Sequence, residues 1–166
     1  MTDSHRGQPG SRGPASCLGY FNDPPANAEL FTSEGFVLHA DIVTIDEDGY
    51  LAVVGRKVDI IIRGGKNISA AMVEDEVSAH PSVALAAAVA MPDPIFGERV
   101  CVYVELRRGK SLTLEGLSEF LTARNVSIEL FPERLVVVDR IPRSSGSKVA
   151  KGDLREDARR RATQSA

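Results

Sequence analysis

Cysteine is scarce. Cys17 and Cys101 are the only two in 166 residues, too few and too far apart for a disulfide framework or a zinc site, a usage that fits a reducing cytoplasm. No stretch approaches the roughly 18 apolar residues of a membrane span. Residues Met1 to Gly10 lack the apolar core of a secretory signal, and their polar, Gly/Pro-containing composition predicts disorder for residues 1–11. A strong excess of either charge is missing as well. The net charge is -3 and the pI about 5.6, so no general field favours nucleic acid or an anionic membrane. Arg155, Arg159, Arg160 and Arg161 cluster late but are interleaved with Asp153, Glu156 and Asp157, which reads as a solvated helix face. There is no Walker sequence, no Gly-x-Gly-x-x-Gly run and no internal repeat.

What is present suits a soluble α+β fold. Hydrophobic residues make up 43% and charged residues 26%, enough to bury a core. Phe36 to Leu38 and Ile42 to Ile45 lead into the turn Asp46-Glu-Asp-Gly49, and Tyr50 to Val54 returns, a β-hairpin pattern. Val58 to Ile62 reads as a strand closed by Gly64-Gly65. Ser69 is a candidate N-cap for a helix from Ala70 to about His80, ended by Pro81. Val83 to Met91 and Arg99 to Leu106 read as neighbouring strands. Thr113 caps a helix through Arg124, Arg134 to Asp139 is a last strand, and the tail from Lys151 is helical, fraying after Arg161. The compact unit is expected from about Gly55 to Leu154, with the first 35 residues mobile.

Two segments carry chemistry. In the first, Ile141-Pro-Arg-Ser-Ser-Gly-Ser-Lys148-Val-Ala-Lys151, rigid Pro142 leads into a small-residue loop that presents one ammonium group, suited to a phosphate or carboxylate. By itself such a lysine is more often an ordinary surface residue. Upstream stands Gly55-Arg56-Lys57-Val58-Asp59-Ile-Ile-Ile-Arg63-Gly64-Gly65-Lys66-Asn67-Ile68. Together they resemble the late motifs of the adenylate-forming superfamily, which includes acyl-CoA synthetases and aryl-acid–AMP ligases. Arg12-Gly-Pro14, Gly19-Tyr20, Asp41 after Phe36, Asp48-Gly-Tyr-Leu51, and Met91-Pro-Asp93 before Gly97-Glu98 follow in family order. The resemblance covers roughly residues 12 to 155.

The resemblance implies the small C-terminal domain of an adenylate-forming enzyme over residues 58–155, a short sheet with flanking helices. Residues 12–57 would be a β-hairpin remnant of the large N-terminal domain, and 156–166 a charged tail. It implies that Asp41 accepts hydrogen bonds from the ribose of ATP, with Arg56 also on the nucleotide; from the residues alone Asp41 is equally a turn or cap residue. Asn67 would lie near the nucleotide phosphates, and Val58 at the hinge between two domain orientations. Gly64 and Gly65 would line the pantetheine channel, where residues alone allow a plain strand-to-helix turn. Lys148 would be catalytic. Lys151, its nearest rival, is expected to be solvent-exposed, and Glu74 structural.

This chain departs from the family at His39-Ala40, where Thr/Ser-Gly is usual, at Val58, where lysine or aspartate is usual, and at Ser147, where glycine precedes the catalytic lysine. The implied activity is AMP-forming carboxylate–CoA ligation, with ATP, Mg and CoA as cofactors and a carboxylic acid as substrate. No metal ligands are expected in this chain, and the partner is the large domain with its phosphate-gripping loop, which is absent from this sequence. The alternatives are an aryl-acid–AMP ligase that loads a carrier protein and a non-catalytic, stand-alone small domain.

Overall fold

Two stretches of the chain fold by different means. The computed structural model describes residues 5–144 and 148–164, and separates the compact units Met1–Val58 and Asp59–Ala166. The division falls one residue beyond the expected 57/58 boundary.

Backbone pairing dominates the first unit. Its strands are β1 (His5–Gly7), β2 (Gly10–Ser11), β3 (Val37–Leu38), β4 (Asp41–Ile45) and β5 (Leu51–Arg56), with one short helix, α1 (Pro24–Leu30). β1, β4 and β5 form an antiparallel sheet, and β2 pairs with β3. The prediction of disorder is therefore corrected over residues 5–11; residues 1–4 lie outside the described residues. His5–Gly7 align with Val43–Ile45, and Gly10–Ser11 with Val37–Leu38. Edge pairing draws on backbone groups, which the polar composition of this arm does not remove. α1 starts where Asp23 Oδ1 accepts the Ala26 amide at 3.1 Å, with Pro24 and Pro25 in its first turn.

Period-two patterning builds the second unit. Its elements are β6 (Ile60–Arg63), β7 (Lys66–Ser69), α2 (Ala70–Ser78), β8 (Val83–Asp93), β9 (Gly97–Leu106), α3 (Leu114–Ala123), β10 (Arg134–Val138) and α4 (Lys151–Gln164). β9 is the axis: β8 pairs with it antiparallel along its length and β10 parallel, while β6 meets it at Arg63↔Gly97. Alternate side chains go to opposite faces. Val100, Val102 and Val104 join Ala86 and Ala88 against Val73 and Val77 of α2 and Leu117 and Leu121 of α3. Cys101 and Tyr103 join Ala87 and Val89 against Ile141 and Leu154 and Ala158 of α4. A sheet covered on both faces explains why Val83 to Met91 is an unbroken apolar run.

Several local expectations change. Lys57–Asp59 is a 3₁₀ turn, so the strand begins at Ile60 and Val58 is exposed. Extended geometry favoured by valine yields here to the Lys57 amide bonding Ala40 O at 2.8 Å and to ion pairs on Asp59 described below. β7 was not anticipated, because Lys66 and Asn67 are polar; its pairing with β6 supplies the missing signal. Ser69 precedes α2 without a side-chain cap bond, whereas Thr113 Oγ1 accepts the Gly116 amide at 3.1 Å. The tail beyond residue 155 is not separate: α4 runs through Gln164, and Ala158 is fully buried. On that face the Tyr103 hydroxyl donates to Asp157 Oδ2 at 2.8 Å. Burial, then this carboxylate, raises the Tyr103 pKa, and burial pushes the Cys101 thiol up to about 11.

Candidate functional site

In the first unit the β4–β5 hairpin fixes the acidic candidate. Asp46 Oδ1 accepts the Asp48 and Tyr50 amides at 3.1 and 2.8 Å, closing the turn. The pairing shifts between Ile42 and Val43, a bulge that re-aims the strand end. Asp41 then stands opposite Arg56, whose Nε donates to Asp41 Oδ1 at 3.1 Å. Asp41 is partly exposed and Arg56 more so, so the pair adds little stability. It does orient a carboxylate whose Oδ2 carries no ion pair among the described residues, an acceptor suited to a diol. Nearby, an open groove of about 850 Å³ is lined by Tyr20, Leu30, Leu38, Ala40, Lys57 and Val58.

In the second unit Gly64 and Gly65 are the two central residues of the β6–β7 hairpin, not a strand-to-helix turn. Their φ values of +56° and +81° are the left-handed pair that a two-residue turn needs and that glycine adopts without a Cβ clash. A Cβ at Gly65 would meet nothing within 4 Å, while one at Gly64 would touch Phe96 at 3.5 Å. Gly64 N also donates to Phe96 O at 2.8 Å. Phe96 belongs to the β8–β9 turn, which Asp93 closes by accepting the Phe96 and Ile95 amides at 2.8 and 3.0 Å. The Phe96 amide first, then Ile95 and the Arg99 charge, lower the Asp93 pKa against a smaller opposing desolvation.

Beside this turn lies a cavity of about 570 Å³ lined in part by Arg63, Gly64, Lys66, Phe96, Phe131 and Glu133. Arg63 pairs with Glu133, and Lys66 with Glu129. The Lys66 hydrogen bond and charge hold the Glu129 carboxyl below its usual range. Asn67, on β7 opposite Ile62, is exposed.

Lys148 sits on the connection from β10 to α4. One stem is anchored where the Ile141 amide donates to Glu105 Oε1 at 2.7 Å with Ile141 fully buried. The stems close through the Arg143↔Val149 bridge, Ser144 N to Lys148 O at 2.8 Å and Ala150 N to Pro142 O at 2.8 Å. The side chain of Lys148 is exposed and has no ion pair among the described residues. Gly146 and Ser147, including the Ser147 departure, lie outside the described residues.

Lys151 corrects the expectation of a solvent-exposed rival. Its side chain is only 18% exposed, and Nζ lies 2.9 Å from Glu74 Oε1 and 3.4 Å from Asp59 Oδ2. Arg155 takes the other Asp59 oxygen at 2.5 Å. Glu74 Oε1 also accepts the Ala88 amide at 2.7 Å. Sequence reading missed this cluster; the i, i+4 spacing of Lys151 and Arg155 on one helix was its only local sign.

Gly64, Gly65 and Asn67 thus share one hairpin, and Lys148 stands on a separate loop of the same unit. Asp41, Arg56 and Val58 belong to the other unit. The described residues gather no three His, Cys, Asp or Glu side chains in a metal-holding group, and no helix is long and apolar enough to cross a membrane.

Along most of its length the chain is similar to known proteins. Residues 72–148 match the AMP-binding enzyme C-terminal domain. The chain is 42% identical to the medium-chain fatty-acid–CoA ligase of Escherichia coli (strain K12) over 159 residues, 95% of this chain and 28% of that protein. It is 40% identical to the 2,3-dihydroxybenzoate-AMP ligase of Bacillus subtilis (strain 168) over 88% of this chain and 27% of that protein. The crystal structure of ATP-bound MatB from Rhodopseudomonas palustris superposes with a TM-score of 0.84 at 29% identity, covering 95% of this chain and 31% of that one. The chain spans a little over a quarter of the length of these curated relatives.

Proposed function

We propose, from the premise that this chain belongs to the adenylate-forming enzymes and carries their AMP-binding C-terminal domain over residues 72–148, that it serves an AMP-forming carboxylate–CoA ligase. In the first half-reaction a carboxylate oxygen attacks the α-phosphorus of ATP and pyrophosphate leaves. In the second, the thiol sulfur of CoA attacks the acyl carbon, AMP leaves, and the thioester remains. The single observation that carries this reading is Lys148: an exposed ammonium with no ion pair among the described residues, on a loop whose stems are hydrogen-bonded together. Such a cation is placed to offset charge at a phosphoryl centre without first breaking an internal ion pair.

The remaining roles follow the same chemistry. Asp41, steered by Arg56, accepts from the ribose hydroxyls. Asn67 polarises the phosphate end. Val58, in the 3₁₀ turn at the boundary between the two units, is the pivot of a rotation between two orientations. The Gly64-Gly65 turn, lacking side chains, lets a pantetheine arm pass close to backbone. Magnesium would neutralise the triphosphate; among the described residues no three His, Cys, Asp or Glu side chains gather to hold it. The acyl pocket and the phosphate-gripping loop belong to a large N-terminal domain as partner, and the setting is the cytoplasm.

Medium-chain fatty acids are the favoured substrate class, since the fatty-acid–CoA ligase aligns over 95% of this chain. An aryl-acid–AMP ligase that loads a carrier protein is the second reading, favoured by the 40% identity to the dihydroxybenzoate enzyme.

The test joins this chain to its adenylation domain and separates the half-reactions. Lys148→Ala is expected to slow acyl-adenylate formation on the order of 10² to 10³-fold, while thioester formation from supplied acyl-adenylate persists. Equal slowing of both would make Lys148 structural. Thioester formation with a carrier protein but not with CoA would select the second reading.

A further inference from the structure

The geometry points to Lys151 and Asp59 as positioning residues that tie the foot of the Lys148 loop to the root of the unit just past the pivot. This rests on the role proposed above for Lys148. Ala150 N bonds Pro142 O at 2.8 Å, so the loop's closed stem ends one residue before Lys151. Asp59 is the first residue of the second unit and directly follows Val58. The two are linked through space. Asp59 Oδ2 faces Lys151 Nζ at 3.4 Å, and Asp59 Oδ1 faces Arg155 Nη2 at 2.5 Å.

Lys151 and Arg155 are one helical turn apart, so one carboxylate receives both cations on the same face of α4. Glu74 completes the set by binding Lys151 at 2.9 Å and the β8 amide of Ala88 at 2.7 Å. Two acids and two bases cancel in charge. Their side chains are 18–26% exposed, which makes each contact more directional and less screened than a surface pair.

The arrangement does something a stabilising pair alone would not. Rotation at Val58 moves Asp59 first, and the Asp59–Lys151 contact passes that motion to the base of the Lys148 loop. The catalytic ammonium then travels with the unit instead of lagging on a loose tether. The Gly64-Gly65 turn needs no such tie, because the β6–β7 ladder and the Gly64–Phe96 bond already hold it. Loss of the tie should therefore hurt the Lys148 half-reaction selectively.

Amide exchange in the 166-residue chain and half-reaction kinetics in the protein joined to its adenylation domain test this together. Lys151→Met should speed exchange at residues 150–155 about ten-fold while leaving Val100 to Val104 slow. It should lower kcat for adenylate formation about 10- to 100-fold, with KM for ATP and thioester formation from supplied adenylate near wild type. Lys151→Arg should restore most of both. Asp59→Asn, which keeps size and breaks the tie from its other end, should reproduce Lys151→Met. Unchanged exchange at 150–155, or equal slowing of both half-reactions, overturns the inference. If Lys148→Ala abolishes adenylate formation but Lys151→Met and Asp59→Asn leave it intact, the tie alone is wrong. If Lys148→Ala is itself without effect, the proposed function falls, and the tie with it.

Discussion

The two units of this chain reach order by opposite routes. Among described hydrophobic residues of the first, only Val37 and Val43 are buried, and Leu18, Phe21, Tyr50 and Val53 stand exposed. The second buries Val100 to Val104 from both faces of one sheet. The first therefore depends on backbone ladders and turn hydrogen bonds, and the second on packed side chains. Under the proposed function the division has a use. Nucleotide-binding groups can sit on a hairpin whose apolar faces await a larger partner, while the unit that moves between half-reactions carries its own core.

The sharpest way to break this comparison is a matched pair of truncations. Leu121→Ala should destabilise the second unit by about 2–5 kcal/mol, because a packed core refills such a cavity only in part. Val43→Ala in the first should cost about 1–2 kcal/mol, near the transfer term alone. Residue-resolved hydrogen exchange through a urea series would read both. Equal costs would mean that the first unit has a core of its own.

Acid titration probes the second unit next. The Arg161 hydrogen bond, followed by Tyr103 and Arg160, lowers the Asp157 pKa from its ordinary 3.8 against a smaller desolvation. A carboxyl depressed in the folded state contributes stability that is present above pH 3.8 and is lost as pH falls through the folded value. Asp157→Asn should flatten that acid-side loss in thermal melts at stepped pH. An unchanged slope would remove Asp157 from the account.

The smallest stability effect belongs to Arg56. Arg56→Ala should shift folding by no more than about 1 kcal/mol, since its partner contact is solvent-exposed. Nucleotide affinity should weaken all the same, measured by ATP titration of the joined protein. A large stability loss with unchanged affinity would reverse the assignment.

How much of this was legible depended on the kind of interaction involved. The β8 and β9 strands and the Thr113-capped α3 were visible because burial and capping leave periodic or local marks. The Gly64-Gly65 turn was visible as a glycine pair, though its hairpin was not: β7 is specified by pairing with β6, and Lys66 and Asn67 carry no apolar signal. Val58 misled, since a β-branched residue sits in a 3₁₀ turn fixed by neighbours distant in sequence. Lys151 misled for the same reason. Its partners Asp59 and Glu74 come from 92 and 77 positions upstream, and no local pattern announces such a meeting. The family motifs nominated Lys148, Asp41 and Arg56, and the geometry around each came only from the fold.

The two-sided burial of β9 also acts as a parity check on assembly. Its odd and even positions are chemically unlike: valines at 100, 102 and 104 on one side, Cys101 and Tyr103 on the other. A slip of one residue would swap them wholesale. Tyr103 would be driven into an aliphatic layer, its hydroxyl without an acceptor, and Asp157 would lose its phenolic donor. One buried face would already penalise such a slip; here both faces reject it. The same parity fixes where β9 presents Glu105, whose Oε1 accepts the Ile141 amide at the foot of the Lys148 loop.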